Sequence, residues 1–405
     1  MNNLGIYIHI PFCVRKCGYC DFFSGCFGET EKQQYFRDVL KEIGECPYDS
    51  ADYEVTSVFF GGGTPSSVDP KYLEAIMEAL KKRFRFAENP EISMEMNPGT
   101  VTGAEQMKRY REMGLNRLSI GLQSADNTLL KRIGRIHSYE TFEETFRLAR
   151  EAGFQNINVD LISGLPGDTA ENFEKGLNRV LSLEPEHLSV YSLIIAENTD
   201  FERLYGPSGP ERHLLPSEEE DRDLYARTGR ILEDAGFERY EISNYAKKGF
   251  RCRHNVGYWS HVPYLGFGAA AASFMPDLKN PNRFLRFKNP ERLSYIEGPY
   301  IDTETLGKDD LMREFMMIKL RMTEGVSEKE FRAHFDADLF EVFREEIRVS
   351  EAEGLLETVE FESKDIGNSE NEENRGFENS MVRNRSVRLT SRGLDLANIV
   401  MERFL

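Results

Sequence analysis

The chain has no long hydrophobic run. Hydrophobic residues make up 40% of its 405 residues, but the longest apolar stretches fall far short of the roughly 20 residues that a membrane-spanning helix needs. The N-terminus also lacks the positively charged segment that begins a secretory signal peptide, because MNNLGIYIHIPF leads directly into a strand pattern. We therefore expect at most peripheral contact with a membrane.

Cysteine and positive charge are scarce as well. Six cysteines, three of them within eight positions, do not form the framework of a disulfide-bonded secreted protein, so the reducing cytoplasm is the expected compartment. The 51 lysine and arginine residues are outnumbered by 69 aspartates and glutamates, which gives a formal net charge of −18. A surface of this charge repels polyanions, so we expect no nucleic acid as a partner.

The densest chemical pattern is GIYIHIPFCVRKCGYCDFF at residues 5–23. Its alternating apolar first half predicts a buried strand, and Cys13, Cys17 and Cys20 follow with the spacing C-x3-C-x2-C. Three thiolates can hold three corners of an iron–sulfur cluster, whereas a closed structural zinc site needs four ligands. On a four-iron cluster this set leaves one iron open for a substrate or cofactor. A zinc site and three ordinary buried thiols are the alternatives that the spacing leaves open.

Strand and helix patterns alternate along the first half of the chain. After the first strand, the predicted strands are residues 53–60, 92–96, 117–121, 157–162 and 188–194, and the predicted helices are residues 29–43, 73–84, 104–113, 139–152 and 170–183. This alternation is typical of a parallel sheet with helical crossovers. We predict an α/β fold with a partial, open-sided (β/α)6 barrel whose site lies at the carboxyl ends of the strands.

The composition changes twice along the chain. We predict three regions, which are the barrel at 1–235, an extension of it at 236–308 and a mainly helical domain of winged-helix type at 309–405. Ser327 and Glu330 form a capping-box pattern in the last region. Residues 361–385 are polar and acidic and are predicted to form a flexible surface loop.

Glycine and polar residues stand where the predicted strands end. The sequence GGGTP at 61–65 follows the second strand, where glycines let the backbone approach a ligand and offer N–H and C=O groups. Later strand ends carry Glu95, Gln123 and Asp160, with Arg135 beyond Gln123. Each of them alone is compatible with a helix cap or an ordinary polar group. Together they suit hydrogen bonding to ribose hydroxyls and to a zwitterion.

A second aromatic segment, HNVGYW, begins at His254. A histidine among aromatic side chains is more often packed and hydrogen-bonded than a ligand. An imidazole beside flat apolar side chains is nevertheless what axial ligation of haem uses. His254 is therefore a candidate haem contact, with simple packing as the alternative.

These segments together resemble the radical S-adenosylmethionine (SAM) superfamily, in the group that contains oxygen-independent coproporphyrinogen III oxidase and a related haem chaperone. The resemblance covers nearly the whole chain and rests on YIHIPFCVRKCGYCDF, FFGGGTP, EISMEMNP, RLSIGLQS, VDLISGLPG and HNVGYW. It implies that Cys13, Cys17 and Cys20 ligate a [4Fe–4S] cluster whose fourth iron is chelated by SAM. It also implies that reduction of the cluster cleaves SAM to methionine and a 5′-deoxyadenosyl radical. The positions that match SAM-binding residues of the family are Tyr7, Gly62, Gly63, Thr64, Glu95, Gln123, Arg135 and Asp160.

Two details favour the haem chaperone over the oxidase. In the oxidases another cysteine follows two residues after the third, whereas Cys20 is followed by Asp21 and Phe22. The chain also starts almost at its first strand. The resemblance then implies haem binding, transfer to apo-haemoproteins and a low-potential electron donor, and a dimer is compatible with it. Oxidative decarboxylation of coproporphyrinogen III to protoporphyrinogen IX is the alternative function.

Overall fold

The computed structural model describes residues 2–48, 51–101, 103–364 and 381–405. The chain divides into two compact units. The first comprises Met1–Arg239, Ser243–Tyr258 and Val262–Thr305, and the second comprises Tyr240–Ile242, Trp259–His261 and Leu306–Leu405. Within the described residues, no helix combines the length and the apolar character needed to cross a membrane.

The first unit is an α/β structure built on one large sheet. Its strands are β1 Asn2–Ile10, β2 Tyr53–Gly62, β3 Phe86–Met96, β4 Arg117–Gln123, β5 Ile157–Ser163, β6 His187–Ser192, β7 Glu238–Arg239, β8 Asn244–Ala246, β9 Tyr264–Phe267, β10 Ala272–Asp277, β11 Asn280–Lys288 and β12 Ile301–Leu306. Its helices are α1 Glu29–Glu45, α2 Pro70–Arg83, α3 Ala104–Glu112, α4 Asn127–Arg132, α5 Tyr139–Glu151, α6 Ala170–Leu181, α7 Asp200–Tyr205, α8 Glu218–Asp234 and α9 Arg253–Trp259, the last of which ends in the second unit.

The sheet confirms the predicted partial barrel. Strands β1 to β6 pair side by side in chain order and are all parallel. The sheet is longer than the predicted six strands, because β9 to β12 extend it beyond β1 and β8 and β7 extend it beyond β6. Strand β8 is antiparallel to β6, and β10 is antiparallel to β9.

Buried apolar strands and capped helices explain the local structure of this unit. Leu4, Ile6, Ile8 and Ile10 of β1 are fully buried, as expected of a central strand in a parallel sheet. Helix α2 begins with a proline, and the preceding Asp69 accepts a hydrogen bond from the backbone N–H of Lys71. Because β1 to β6 are parallel and adjacent, their carboxyl ends meet at one edge of the sheet, where the cysteine loop, the glycine turn, Glu95 and Gln123 lie.

The second unit combines short helices with a small antiparallel sheet. Its elements are α10 Lys308–Lys319, β13 Val326–Ser327, α11 Glu328–Phe335, α12 Leu339–Val342, α13 Arg344–Ala352, β14 Leu356–Lys364, β15 Met381–Leu389, α14 Ser391–Asp395 and α15 Ala397–Glu402. The strand order is β13-β15-β14. Helices followed by an antiparallel hairpin match the predicted winged-helix type.

Two local predictions in this unit were wrong. The predicted loop 361–385 is strand at both ends, because residues 361–364 belong to β14 and residues 381–385 to β15, and the two strands pair along their length. The centre of that loop, residues 365–380, lies outside the described residues. Helix α11 does begin after Ser327, but no side chain caps it, since the Glu330 carboxylate contacts Lys319 Nζ at 2.9 Å instead.

Candidate cofactor site

The loop between β1 and α1 carries the three predicted cluster ligands. It folds back on itself, because the N–H of Gly25 donates to the carbonyl of Pro11 and the N–H of Cys13 donates to the carbonyl of Gly25, both at 2.9 Å. Cys13, Cys17 and Cys20 are partly buried free thiols. A short, internally bonded segment therefore holds all three sulfurs.

The thiols of this loop are close enough to influence one another. Burial raises the pKa of Cys13 and of Cys20, and the neighbouring Cys17 raises both further. Within the described ranges, no three His, Cys, Asp or Glu side chains are close enough to hold a single metal ion. The ligands of an iron–sulfur cluster sit at separate corners and are deprotonated by the metal. Three partly buried thiols on one short loop are compatible with the ligand set of an iron–sulfur cluster.

The glycine turn after β2 packs directly onto the end of β1. Gly62 has φ of +106°, and a Cβ at this position would lie 2.5 Å from Cε1 of His9. A Cβ on Gly63 would lie 2.9 Å from the backbone N and O of Phe12. Only glycine fits at these two positions, and the turn therefore fixes where the cysteine loop begins.

The backbone N–H groups of the glycine turn all donate to acceptors within the protein. Gly62 donates to Glu95 Oε2 at 3.0 Å, Gly63 donates to the Ile10 carbonyl at 2.9 Å, and Thr64 donates to the Phe12 carbonyl at 2.8 Å. A ligand at residues 62–64 therefore finds no free N–H group there. Acceptors such as the Glu95 carboxylate are what this part of the site offers.

Two carboxyl groups, those of Glu95 and Asp160, lie near each other inside the barrel. Burial and the charge of Asp160 raise the pKa of Glu95 to about 7. Burial also raises the pKa of Asp160, although Ser119 Oγ (2.9 Å) and Asn158 Nδ2 (2.8 Å) donate to its carboxylate and oppose the shift. Neighbouring buried carboxyl groups favour a positively charged ligand. SAM, with its sulfonium group, carries a positive charge.

Asp160 differs in position from the prediction. It lies within β5 and not at its end, and its carboxylate already bonds to side chains of β4 and β5. Glu95 is the next-to-last residue of β3 and Gln123 is the last residue of β4, as predicted. Gln123 has φ of +73°, a backbone conformation that few side chains other than glycine adopt.

Arg135 connects the later strands to the cysteine loop. Its Nη1 donates to Cys17 Sγ at 3.4 Å, and its Nη2 donates to Asn97 Oδ1 (2.5 Å) and to the Gly121 carbonyl (2.6 Å). Its Nε is buried and has no hydrogen-bond partner. A buried, unused donor beside the cysteines fits an anionic or carbonyl group of a ligand such as the SAM carboxylate.

Tyr7 lies in a stack of rings that runs along the inside of β1 and β2. Its hydroxyl lies 3.1 Å from His9 Nδ1, and His9 Nε2 lies 2.8 Å from the Phe23 carbonyl, in the cysteine loop. Burial lowers the pKa of His9, so the ring is neutral, accepts from Tyr7 and donates to Phe23. The ring of Phe59 stacks on Tyr7 with centroids 6.3 Å apart.

His254 lies at the other end of the same stack. Its ring stacks on Phe59 with centroids 5.1 Å apart. Its Nδ1 lies 2.9 Å from Ser57 Oγ and its Nε2 lies 3.0 Å from Tyr258 OH, so both ring nitrogens are engaged. The side chain is buried, and burial followed by the charge of Arg117 lowers its pKa to about 3. In this arrangement neither nitrogen is available to a metal.

Two residues of the site were missed by sequence reasoning. His9 joins Tyr7 to the cysteine loop, and Asn97 lies between Arg135 and Thr64. In the sequence, His9 was only a polar residue within an apolar strand pattern, so nothing indicated its role. The one signal for Asn97 was its position directly before Pro98 at the end of a strand.

Comparison with known proteins identifies the family of this chain. The model of the radical SAM superfamily matches residues 7–180, and the HemN C-terminal domain model matches residues 306–359. The heme chaperone HemW of Bacillus subtilis (strain 168) is 34% identical over 355 residues, covering 87% of this chain and 93% of the relative. The chain belongs to the radical SAM superfamily, in the HemW family.

Another HemW relative and one solved structure agree with this family. The heme chaperone HemW of Escherichia coli (strain K12) is 35% identical, with 82% of this chain and 86% of the relative covered. Coproporphyrinogen III oxidase (HemN) from Escherichia coli, described as a radical SAM enzyme, has a TM-score of 0.77 at 22% identity, with 100% of this chain and 90% of that chain covered. At this identity the likeness to HemN shows a shared fold only.

Membership of the radical SAM family implies a [4Fe–4S] cluster and SAM. The radical SAM match at 7–180 contains Tyr7, the three cysteines, the glycine turn, Glu95, Gln123, Arg135 and Asp160. His254 lies outside both matched ranges. The radical SAM match thus covers every position predicted to bind SAM.

Proposed function

We propose that this protein is a haem chaperone that binds haem and hands it to apo-haemoproteins with the help of a [4Fe–4S] cluster and SAM. The observation that carries the proposal is its similarity, over more than four-fifths of the chain, to relatives named heme chaperone HemW. The absence of a further cysteine at Phe22 supports the same function over porphyrinogen oxidation.

The residues of the site have distinct proposed roles. Cys13, Cys17 and Cys20 would hold the cluster, and the bound cluster and SAM would supply radical chemistry on reduction. Glu95 would accept from the SAM amino group, and Arg135 Nε would donate to the carboxylate. The proposed SAM contacts also include Tyr7, Gly62, Gly63, Thr64, Gln123 and Asp160. These residues would bind and orient the cofactor through backbone and side-chain groups, while the surrounding barrel would limit access of water.

His254 is the proposed haem contact, and its present bonds define how to test it. Ligation of haem iron through Nε2 requires the hydrogen bond to Tyr258 to break. A Tyr258→Phe variant removes that competitor without removing the ring. If His254 ligates haem, Tyr258→Phe binds haem more tightly than wild type and His254→Ala binds it more weakly. Soret spectra identical to wild type in both variants would show that the haem is held by other residues.

The decisive experiment is anaerobic reconstitution followed by haem and SAM titrations of one preparation. Wild type is expected to give a Soret shift that saturates near one haem per chain and to bind SAM. Cys17→Ala, which lacks one cluster ligand, is expected to lose SAM binding together with cluster iron. A wild-type protein with no Soret shift would overturn the proposal. Protoporphyrinogen IX formed from coproporphyrinogen III with SAM and a reductant would establish the oxidase instead.

The proposal extends to partners and compartment. Apo-haemoproteins would be the clients, and a low-potential reductant would supply electrons to the cluster. All six cysteines lie in the described residues and are free thiols, which is consistent with a reducing cytoplasm. A dimer and a peripheral membrane contact are part of the same proposal, and analytical ultracentrifugation with and without haem tests the dimer.

A further inference from the structure

Asn97 lies between two side chains that reach different cysteines of the cluster loop. Its Oδ1 accepts from Arg135 Nη2 at 2.5 Å, and its Nδ2 donates to Thr64 Oγ1 at 2.7 Å. Arg135 in turn donates to Cys17 Sγ at 3.4 Å, and Thr64 Oγ1 lies 3.6 Å from Cys13 Sγ. A continuous path of hydrogen bonds therefore runs from one cysteine to the other through Asn97.

The direction of every bond in this path follows from the chemistry of its members. A guanidinium can only donate, so the Asn97 atom that faces Arg135 must be the oxygen. The amide nitrogen then faces Thr64 and can only donate to it. Because the Thr64 oxygen accepts from Asn97, its own hydrogen is free to point at Cys13. The amide of Asn97 thus sets the orientation of the Thr64 hydroxyl.

The backbone and packing around Asn97 hold the amide in place. Its N–H donates to Ser66 Oγ at 3.3 Å, and Thr100 Oγ1 donates to its carbonyl at 2.6 Å. A Cβ on Gly121 would lie 3.1 Å from Asn97 Oδ1 and 3.3 Å from Arg135 Nη2. The missing side chain of Gly121 is what lets the two groups lie over the strand.

We propose that Asn97 is a positioning residue. It orients the Thr64 hydroxyl so that it donates to Cys13 Sγ, and it holds the Arg135 guanidinium so that it donates to Cys17 Sγ. The inference rests on the cluster of the proposed function. Hydrogen bonds to ligand sulfurs are among the factors that set the reduction potential of an iron–sulfur cluster, because they stabilise the more negative, reduced state. Asn97 would therefore raise the cluster's potential without touching the cluster.

Asn97→Asp tests the path because it keeps the shape of the side chain and reverses the direction of its hydrogen bond with Thr64. An aspartate still accepts from Arg135 but cannot donate, so the Thr64 hydroxyl turns to donate to it and leaves Cys13. We expect the midpoint potential of the reconstituted cluster, measured by an EPR-monitored redox titration, to fall in this variant. Thr64→Val, which has no hydroxyl, is expected to lower it too, and Thr64→Ser, which keeps the hydroxyl, is expected to have a higher potential than Thr64→Val.

The double variant separates the path from the effect of the added charge. If Asn97 acts through Thr64, Asn97→Asp shifts the potential less in the Thr64→Val background than in wild type, because no hydroxyl remains to turn. Equal shifts in both backgrounds would overturn the proposal, since they would come from charge alone. So would an unchanged potential in Asn97→Asp.

Cluster content gives a second measurement in case a variant does not load fully. Similar loss of iron and sulfide from Asn97→Asp and Thr64→Val, in proteins whose Tm equals that of wild type, supports the path. Loss from Asn97→Asp alone overturns it. Haem titration of the same proteins reports on the proposed function separately, since a failed potential shift with normal haem binding rejects only the role of Asn97.

Discussion

Glu95 is a buried acid with a shifted pKa at the candidate site. Its pKa of about 7 arises from burial and from the charge of Asp160, while one N–H of the glycine turn opposes the shift. The neutral form therefore dominates below pH 7 in the protein without ligand. By linkage, the folded protein without SAM loses stability as the pH rises from the unfolded pKa near 4.5 towards 7.

We predict that the affinity for SAM rises with pH up to about 7. A cationic ligand binds the ionised carboxylate, so below its pKa Glu95 must lose a proton on binding, which changes the affinity by up to about tenfold per pH unit. Glu95→Gln removes this slope and weakens binding at pH 8 by about 10- to 100-fold. Asp160→Asn moves the midpoint of the slope to lower pH. Anaerobic calorimetry from pH 5.5 to 8 measures the SAM affinity at each pH. The same pH dependence in Glu95→Gln as in wild type would contradict the prediction.

Gly62 is the residue whose side chain the site least tolerates. We predict that Gly62→Ala lowers the free energy of unfolding by about 1–3 kcal/mol and reduces cluster loading, because φ is +106° and the new Cβ would meet the His9 ring. Gly44→Ala is the control. It lies in α1 with no atom within 4 Å of its added Cβ and should be about 0.5–1 kcal/mol more stable than wild type. Denaturant unfolding and iron content measure both, and a neutral Gly62→Ala would contradict the clash.

Individual residues of the site were predictable to different degrees. The positions of the cysteines, Glu95 and Gln123 could be predicted because a motif or a strand end is visible in the local sequence. Asn97 could not, since its partners are 33 and 38 residues away in the chain and meet only after folding. The hydrogen bonds of the His254 ring to Ser57 and Tyr258 could likewise not be predicted, although the sequence did suggest packing as the alternative to ligation.

At the scale of elements, the β/α alternation predicted the six parallel strands because each one contains buried apolar residues between recognisable turns and helices. The strands β7 and β8 are only two and three residues long, too short for a periodic pattern to reveal. The facing ends of β14 and β15 were assigned to a loop because they flank a polar sequence rich in asparagine and glutamate, residues 365–380. Their pairing with each other, which the sequence does not show, makes them strands.

Helix α9, which carries HNVGYW, is held by a carboxylate from β3. Glu91 is buried and accepts from the backbone N–H groups of Arg253 (3.0 Å) and His254 (3.1 Å). We predict that Glu91→Ala destabilises the protein by about 1–3 kcal/mol, because two backbone donors lose their buried acceptor. Glu88→Ala, an exposed position in the same strand, is the control and should stay within about 0.5 kcal/mol of wild type. Thermal and denaturant unfolding measure the stability of both variants. Equal stability would contradict the proposed role of Glu91 in holding the start of α9.

At the scale of the whole molecule, the two matched family models cover different parts of the chain. The proposed SAM site lies between Tyr7 and Asp160 in the first unit, whereas the second unit takes in residues 306–405 together with Tyr240–Ile242 and Trp259–His261. Within the second unit, Trp259 packs on Arg321 with the guanidinium 4.5 Å from the ring, and Lys319 Nζ donates to Ser260 Oγ at 3.2 Å. The segment that ends HNVGYW therefore depends on residues distant in sequence.

We predict that removing residues 306–405 separates the two binding activities. Residues 240–242 and 259–261 lose their partners, so Tm falls, and haem affinity falls because α9 ends at Trp259. SAM binding to the reconstituted protein should stay within about threefold of full length, since the proposed contacts lie in the first unit. Arg321→Ala in the full chain is the matched control, because it removes one partner of Trp259 and should weaken haem binding less than truncation does. Titrations of both proteins measure this, and a truncated protein that binds haem normally but has lost SAM would reverse the assignment of the two activities.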